Sequence, residues 1–139
     1  MKKLLLMVSA FLLVACGGDG PTSPSNNPVG SYSLSQVNGA ALPQTYFQNS
    51  VGYVEVVSGT LVLRQDGSYT ETRNNRAVYI TGGTQSSSVV ENGTYSITGT
   101  QVTFTIPASG GQSALSYTGA ISGGAVTYTW DGTAYRYTK

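Results

Sequence analysis

Apolar and polar residues alternate with a period of two along most of the chain after residue 29. In each run every second residue is aliphatic or aromatic, and the residues between are mostly Ser or Thr. Such alternation is typical of strands with one buried and one solvated face. The runs lie at residues 31–35, 60–63, 94–98, 101–106, 115–121, 126–130 and 134–138.

Short turn signals separate these runs. The dipeptides are Asn38-Gly39, Asp66-Gly67, Asn92-Gly93 and Asp131-Gly132, with further glycines at Gly99, Gly123 and Gly124. Asn-Gly and Asp-Gly favour tight hairpin turns, and strands joined so closely pair as antiparallel neighbours. The sequence therefore predicts an antiparallel meander. Residues 40–52 lack strict alternation and are expected to form a loop or one short helical turn, and residues 78–90 give the least definite strand pair.

Composition excludes several classes of function. The chain has no histidine and one cysteine, which removes the Ser-His-Asp and Cys-His nucleophile systems, the usual zinc sites and any intrachain disulfide. Only 9% of residues are charged, so the chain lacks the basic patch that nucleic-acid binding requires. We expect no cofactor, no metal and no enzymatic activity.

The first 15 residues read as a secretory signal peptide. Lys2 and Lys3 precede an apolar run of 11 residues from Leu4 to Val14, which is shorter than the roughly 20 residues of a membrane-spanning helix. Removing this segment lowers the formal net charge from +1 to −1. Residues 17–28 are rich in Gly, Pro, Ser and Asn and read as a flexible linker before a single domain at residues 29–139.

The residues Leu13-Val14-Ala15-Cys16 resemble a bacterial lipobox. The resemblance implies cleavage before Cys16, acylation of Cys16 and attachment to the membrane through the lipid. Gly17 stands after the cysteine in place of aspartate, and this favours the outer membrane over the inner by resemblance to sorted lipoproteins. We expect a monomer of the bacterial cell envelope with residues 1–15 as signal, 16–28 as lipidated linker and 29–139 as the folded domain.

Three segments in order, at residues 30–43, 59–69 and 93–104, together resemble small bacterial lipocalin-like domains. The resemblance implies an all-β, up-and-down antiparallel barrel of about eight strands. Tyr32 stands where longer lipocalins carry a tryptophan. An immunoglobulin-like adhesin sandwich is the rival fold, but the tight consecutive turns favour an up-and-down path over Greek-key crossings.

Two functions stay open at this point. An eight-stranded barrel is wide enough either to be filled by side chains or to hold one small ligand. If it binds a small apolar or amphipathic ligand, the predicted site residues are Tyr117, Tyr128, Trp130 and Tyr135, because they share parity on consecutive strands and Trp130 ends a strand. If the aromatic side chains fill the barrel, the alternative is a non-enzymatic β-domain that binds a protein or a glycan.

The carboxylates give a weaker indication of a functional site than the aromatic residues do. Glu71 shares parity with Tyr69 and Arg73, so an inward pair of Glu71 and Arg73 is one reading. The other reading places Asp66 and Asp131 in turns and leaves the glutamates, which include Glu55 and Glu91, in solvent. Arginines at strand ends are more often exposed than bound to an anion.

Overall fold

A computed structural model describes residues 27–139. The predicted signal peptide, Cys16 and all but the last two residues of the predicted linker lie outside this described part. Within residues 27–139, no helix has the length and apolar character needed to cross a membrane. The described chain forms ten strands: β1 (Gly30–Val37), β2 (Ala40–Ala41), β3 (Gln44–Gln48), β4 (Gly52–Leu63), β5 (Ser68–Tyr79), β6 (Thr84–Thr98), β7 (Gln101–Ile106), β8 (Leu115–Ser122), β9 (Ala125–Trp130) and β10 (Thr133–Thr138).

Eight of these strands close into an antiparallel barrel. From β4 to β10 each strand pairs with the next one along the chain, and β1 pairs with both β10 and β4, which closes the ring. Strands β2 and β3 are additional and pair at the edges of β1 and β4. The predicted all-β, up-and-down barrel of eight strands is confirmed.

Alternation along each strand sends the large side chains inward. In β10, Tyr135 and Tyr137 are buried while Ala134 and Arg136 are exposed. The other strands of the barrel contribute Tyr32, Leu61, Tyr69 and Phe104, among others, to one continuous core. The hydroxylated residues between them face outward, as expected for a sheet with one wet face.

Most of the predicted turns form. Asn38 and Gly39 both have positive φ, and so do Asp131 and Gly132, which is the backbone of a type I′ hairpin turn. These dipeptides join β1 to β2 and β9 to β10 with two-residue loops. The left-handed region is open to Asn and Asp at modest cost and to Gly at none, so these sequences select the turn.

The predicted turn at Asn92-Gly93 is wrong, because β6 runs through both residues. A side chain at Gly93 would collide with the carbonyl oxygen of Thr105 and the ring of Tyr69. The glycine therefore serves the close approach of two strands and an aromatic ring, which is the other common use of glycine inside a strand.

The segment before β4 also differs from the expectation. Residues 40–52 form β2 and β3 in place of a loop or helical turn, with one bulge in the pairing of β3 with β4. Residues 78–90 form the end of β5, a turn and the start of β6, and Gly82 and Gly83 take positive φ in that turn. The strands at residues 40–48 form by pairing with β1 and β4, which local sequence does not encode, whereas the strand pair expected at residues 78–90 is present.

Part of the sheet extends beyond the barrel at one end. We call this part the projecting sheet; it comprises residues 44–48, 52–56, 74–79 and 84–92 of β3 to β6. Among the described strands, β6 pairs only with β5 before Thr94, where β7 joins it. The barrel end beside the projecting sheet, which includes the β9–β10 turn, is called the mouth, and the opposite end is called the base.

The base is closed by the two ends of the described chain. The Tyr32 hydroxyl donates to the carbonyl oxygen of Pro28 at 2.6 Å. The ammonium group of Lys139 donates to the carbonyl oxygens of Asn27 and Val29 at 2.9 and 3.0 Å and lies 4.9 Å from the centre of the Tyr32 ring. Residues 27–29 therefore enter the fold at the end opposite the mouth.

Candidate functional site

The four predicted site residues lie together in one chain of aromatic contacts. The ring centres of Tyr117 and Trp130 are 4.9 Å apart, those of Tyr117 and Tyr128 are 5.1 Å apart, and those of Tyr128 and Tyr135 are 5.3 Å apart. These separations suit favourable ring–ring contacts. The four side chains do not share one environment, because Trp130 and Tyr135 line a cavity at the mouth whereas Tyr117 and Tyr128 do not.

Tyr117 and Tyr128 belong to the packed middle of the barrel. Phe104 is completely buried, and its ring centre lies 5.1 Å from that of Tyr117 and 5.7 Å from that of Tyr128. Tyr69 closes the same cluster with an edge-to-face contact at 4.9 Å. Aromatic side chains therefore fill the lumen at this level.

Trp130 and Tyr135 form part of the wall of a cavity at the mouth. The cavity has a volume of about 230 Å³. Its apolar lining consists of Tyr46, Val56, Val89, Trp130 and Tyr135, and its polar lining consists of Arg73, Asn75, Asp131 and Thr133. A cavity of about 150 Å³ holds benzene and drug-sized ligands fill about 300–1,000 Å³, so this cavity suits a ligand of about one ring.

Of two other recesses, one is similar in size to the mouth cavity and one is about twice as large. A recess of about 220 Å³ at the base is lined partly by the chain ends, including Asn27, Pro28 and Lys139. A recess of about 470 Å³ on the outer wall is lined mainly by threonine, glycine and alanine around Tyr128 and Tyr135, with Gln36 and the exposed Arg136 beside them. Of these three, the mouth cavity is the one that places an inward-facing charged side chain, that of Arg73, beside aromatic walls.

Below the mouth cavity, Glu71 forms the centre of a polar network inside the barrel. Its side chain is 1% exposed, and its Oε1 accepts a hydrogen bond from the Tyr137 hydroxyl at 2.5 Å and forms an ion pair with Nε of Arg73 at 3.0 Å. The Tyr128 hydroxyl also faces this carboxylate. Neither that hydroxyl nor Oε2 of Glu71 has a hydrogen-bond partner among the described residues. The inward pair of Glu71 and Arg73 is thus confirmed.

The alternative expectation of solvated glutamates is wrong. Glu55 is 6% exposed, and its Oε1 is bound by Nε and Nη2 of Arg76 at 2.6 and 2.5 Å. Glu91 is half-buried and accepts hydrogen bonds from the hydroxyls of Tyr69 and Tyr117 at 2.5 and 2.7 Å. Tyrosines and arginines on other strands provide these partners.

Two carboxylates lie side by side in this network, because Glu71 and Glu91 are directly opposite on β5 and β6. Burial raises the pKa of Glu71 above its ordinary value, the positive charge of Arg73 opposes the rise, and Glu91 adds to it. Burial also raises the pKa values of Tyr69, Tyr117, Tyr128 and Tyr137, so these hydroxyls stay protonated near neutral pH.

Arg73 connects the buried network to the mouth cavity. Its guanidinium carbon lies 4.9 Å from the centre of the Tyr135 ring, and its side chain is 15% exposed. Of the three nitrogens of the guanidinium, Nε is the one that lies within ion-pair distance of Glu71, at 3.0 Å. The Nη groups have no hydrogen-bond partner among the described residues and are available toward the cavity, beside the amide of Asn75.

Sequence reasoning missed Tyr46, Asn75 and Val89 as lining residues. Asn75 carries a usable signal, because it continues the inward parity of Tyr69, Glu71 and Arg73 along β5. Tyr46 and Val89 reach the cavity only because the projecting sheet extends over the mouth. Among residues 27–139, no group of three His, Cys, Asp or Glu side chains is arranged as a metal site.

No family model matches the chain, and no curated protein or solved structure matches it either.

Proposed function

We propose that this protein is a non-enzymatic binding module of the bacterial cell envelope that holds a small amphipathic ligand in the mouth cavity. The observation that carries the proposal is the composition of that cavity, where Trp130 and Tyr135 face Arg73 and Asn75. Binding sites typically combine apolar and aromatic walls with a few polar groups that fix the ligand's orientation.

The filled lumen limits the size of the ligand. Phe104 and its neighbouring tyrosines occupy the middle of the barrel, so a long acyl chain has no channel below the mouth. The ligand is therefore a compact molecule of about one ring, and not a fatty acid enclosed along the barrel axis.

The proposed anchor is consistent with access to this cavity. We propose that Cys16 carries the lipid and that residues 17–28 form the linker, with the outer membrane as the site of attachment. Residues 27–29 join the barrel at its base. An anchor before residue 27 would hold the base nearer the membrane and leave the mouth open to the surrounding solution.

A second candidate function is binding to another protein through the projecting sheet. Several large apolar side chains on or beside it are exposed, among them Phe47 (52%), Val51 (59%) and Ile80 (72%). Contiguous exposed apolar surface commonly marks an interaction site. This surface lies at the mouth end of the barrel, so a protein partner and a small ligand would approach the same end.

The test is a titration of the full chain with fatty acids, small aromatic molecules and short glycans, read by the fluorescence of Trp130, the only tryptophan. We expect a saturable change in emission with at least one compact ligand and none with long-chain fatty acids. If no member of the panel changes the emission or releases heat in calorimetry, the proposed small-molecule function is wrong.

Two tyrosines of the projecting sheet provide a matched pair of variants. Tyr46 lines the cavity and is 43% exposed, whereas Tyr79 lies outside it and is 37% exposed. Tyr46→Ala should weaken binding about tenfold, which corresponds to about 1.4 kcal/mol, while Tyr79→Ala should leave it unchanged. Equal losses in both variants would favour a broad surface over the cavity.

A further inference from the structure

We propose that the ligand of the mouth cavity is a neutral sugar ring, recognised as one pyranose unit at the end of a glycan. This inference rests on the proposed function and narrows it to one chemical class. It is carried by the types of hydrogen-bonding group around the cavity, the balance of charge there, the aromatic walls and the volume.

The polar groups of the cavity are chemically mixed. Arg73 only donates hydrogen bonds, Asp131 in its ionised form only accepts them, and the amide of Asn75 and the hydroxyl of Thr133 do both. A sugar hydroxyl is both a donor and an acceptor, so a ring bearing several hydroxyls can pair with every one of these groups. An apolar ring would leave them desolvated and unpaired, at about 1–3 kcal/mol for each buried group.

The charges around the cavity disfavour an ionic ligand. Glu71 lies 3.0 Å from Nε of Arg73 and offsets its positive charge. Asp131 adds a negative charge at the rim and would repel a carboxylate or phosphate. An ammonium group would meet Asp131 but also Arg73. A neutral ligand avoids both repulsions.

The walls suit the remaining surface of a sugar. The C–H groups on the face of a pyranose carry a small positive charge, and the face of an aromatic ring is negative. Trp130 and Tyr135, on the two strands of one hairpin, and Tyr46, on the projecting sheet, supply aromatic surface to the cavity. The sugar's edge hydroxyls can then reach Arg73 and Asn75.

The cavity accommodates one ring, and the surface beyond the cavity has room for more of the glycan. About 230 Å³ is larger than a benzene site and smaller than a drug-sized pocket. Beyond the cavity, the register of the projecting sheet places Ser87 beside Asn75 and Gln85 beside Ala77. Their polar side chains extend the same face, where the next sugar units would lie.

The experiment compares compact ligands of similar size but different chemistry. The full chain is titrated with methyl glycosides of common hexoses, and separately with phenol, benzoate and cyclohexylammonium, by calorimetry and Trp130 fluorescence. We expect at least one methyl glycoside to bind with a Kd in the millimolar range or tighter and to exceed the other three in affinity.

Two aspartates that each precede a glycine in a hairpin turn give a test variant and its control. Asp131 and Asp66 each precede a glycine of positive φ in a hairpin turn, but only Asp131 lines the cavity. Asp131→Asn keeps the shape of the side chain and tolerates the left-handed backbone. It should weaken glycoside binding about tenfold and strengthen benzoate binding, whereas Asp66→Asn should change neither.

The outcomes separate this inference from the proposed function. If phenol, benzoate or cyclohexylammonium binds in the cavity and no glycoside does, the sugar inference is overturned while the binding module stands. If Asp131→Asn leaves glycoside affinity unchanged, recognition by the cavity rim is overturned. If no compact ligand of any class binds, both proposals are overturned.

Discussion

Two tyrosine hydroxyls beside one buried carboxylate should differ in their effect on stability. Both Tyr137 and Tyr128 are buried, and both hydroxyls lie close enough to Glu71 to lower the pKa of its carboxyl, but only the Tyr137 hydroxyl meets hydrogen-bond geometry with it, at 2.5 Å. The Tyr128 hydroxyl has no partner among the described residues. Replacing each tyrosine by phenylalanine removes one oxygen atom and preserves the packed ring, so the comparison isolates the hydrogen bond.

The expected changes in the free energy of unfolding follow from the cost of leaving a buried polar group without a hydrogen-bond partner. A hydrogen bond to a charged group contributes about 1.5–3 kcal/mol, and Tyr137→Phe would leave the ion pair with Arg73 as the remaining polar contact of Oε1 of Glu71. For a domain of about 110 residues this corresponds to a fall in Tm of roughly 6–12 °C. Tyr128→Phe removes a hydroxyl that is desolvated without a partner, so it should be neutral or stabilising by about 1 kcal/mol.

Urea denaturation at pH 7, followed by circular dichroism, measures both variants against the unsubstituted chain. We expect a lower midpoint for Tyr137→Phe, an equal or higher midpoint for Tyr128→Phe, and the same m-value in all three proteins. If both variants lose the same free energy of unfolding, the Tyr128 hydroxyl is bonded in solution and the reasoning about the network is refuted.

Three further outcomes are expected. Because the pKa of Glu71 is raised in the folded state, the folded chain retains a proton that the unfolded chain loses at about pH 4.3. The free energy of unfolding, measured relative to that of Glu71→Gln, should therefore fall as pH rises through the folded-state pKa. If the difference in free energy of unfolding between the two proteins stays constant across a pH series, this expectation is wrong. Gly93→Ala should lower the free energy of unfolding by about 1–3 kcal/mol, because the added Cβ meets the backbone of β7. The control Ser87→Ala, exposed on the same strand, should change the free energy of unfolding by no more than about 0.5 kcal/mol. Cys16→Ser should release the protein from the membrane fraction or leave its precursor uncut; a fully processed variant that still sediments with membranes excludes lipidation at Cys16.

Much of the barrel could be predicted from the sequence because the patterns that specify its strands and turns are local. Alternation identifies which residues of a strand face inward, as with Tyr135 and Tyr137, and Asp131-Gly132 specifies a two-residue turn by its backbone preference alone. Asn92-Gly93 has the same local preference, yet the strand continues there. The difference lies in contacts with β7 and Tyr69, which are distant in sequence.

The candidate site was predictable only in part for the same reason. Trp130 and Tyr135 share one hairpin, so their proximity follows from the turn between them. Val89 reaches the mouth because β6, at 15 residues, extends past β7, which has 6. Tyr46 reaches it because β3 pairs with the first half of β4, beyond the part that pairs with β1. The burial of Glu71 likewise depends on Tyr137, which follows it by 66 residues.

The meeting of residues 27–29 with Lys139 at the base has a practical consequence for how the protein can be handled. A tag, a fluorescent protein or a biosensor surface attached near residue 27 or at residue 139 would lie at the same end of the barrel. Either attachment would leave the cavity facing the solution, so the two orientations of a fusion should give equal ligand affinities. The barrel could then be displayed on a chip or a cell surface as a one-sided receptor.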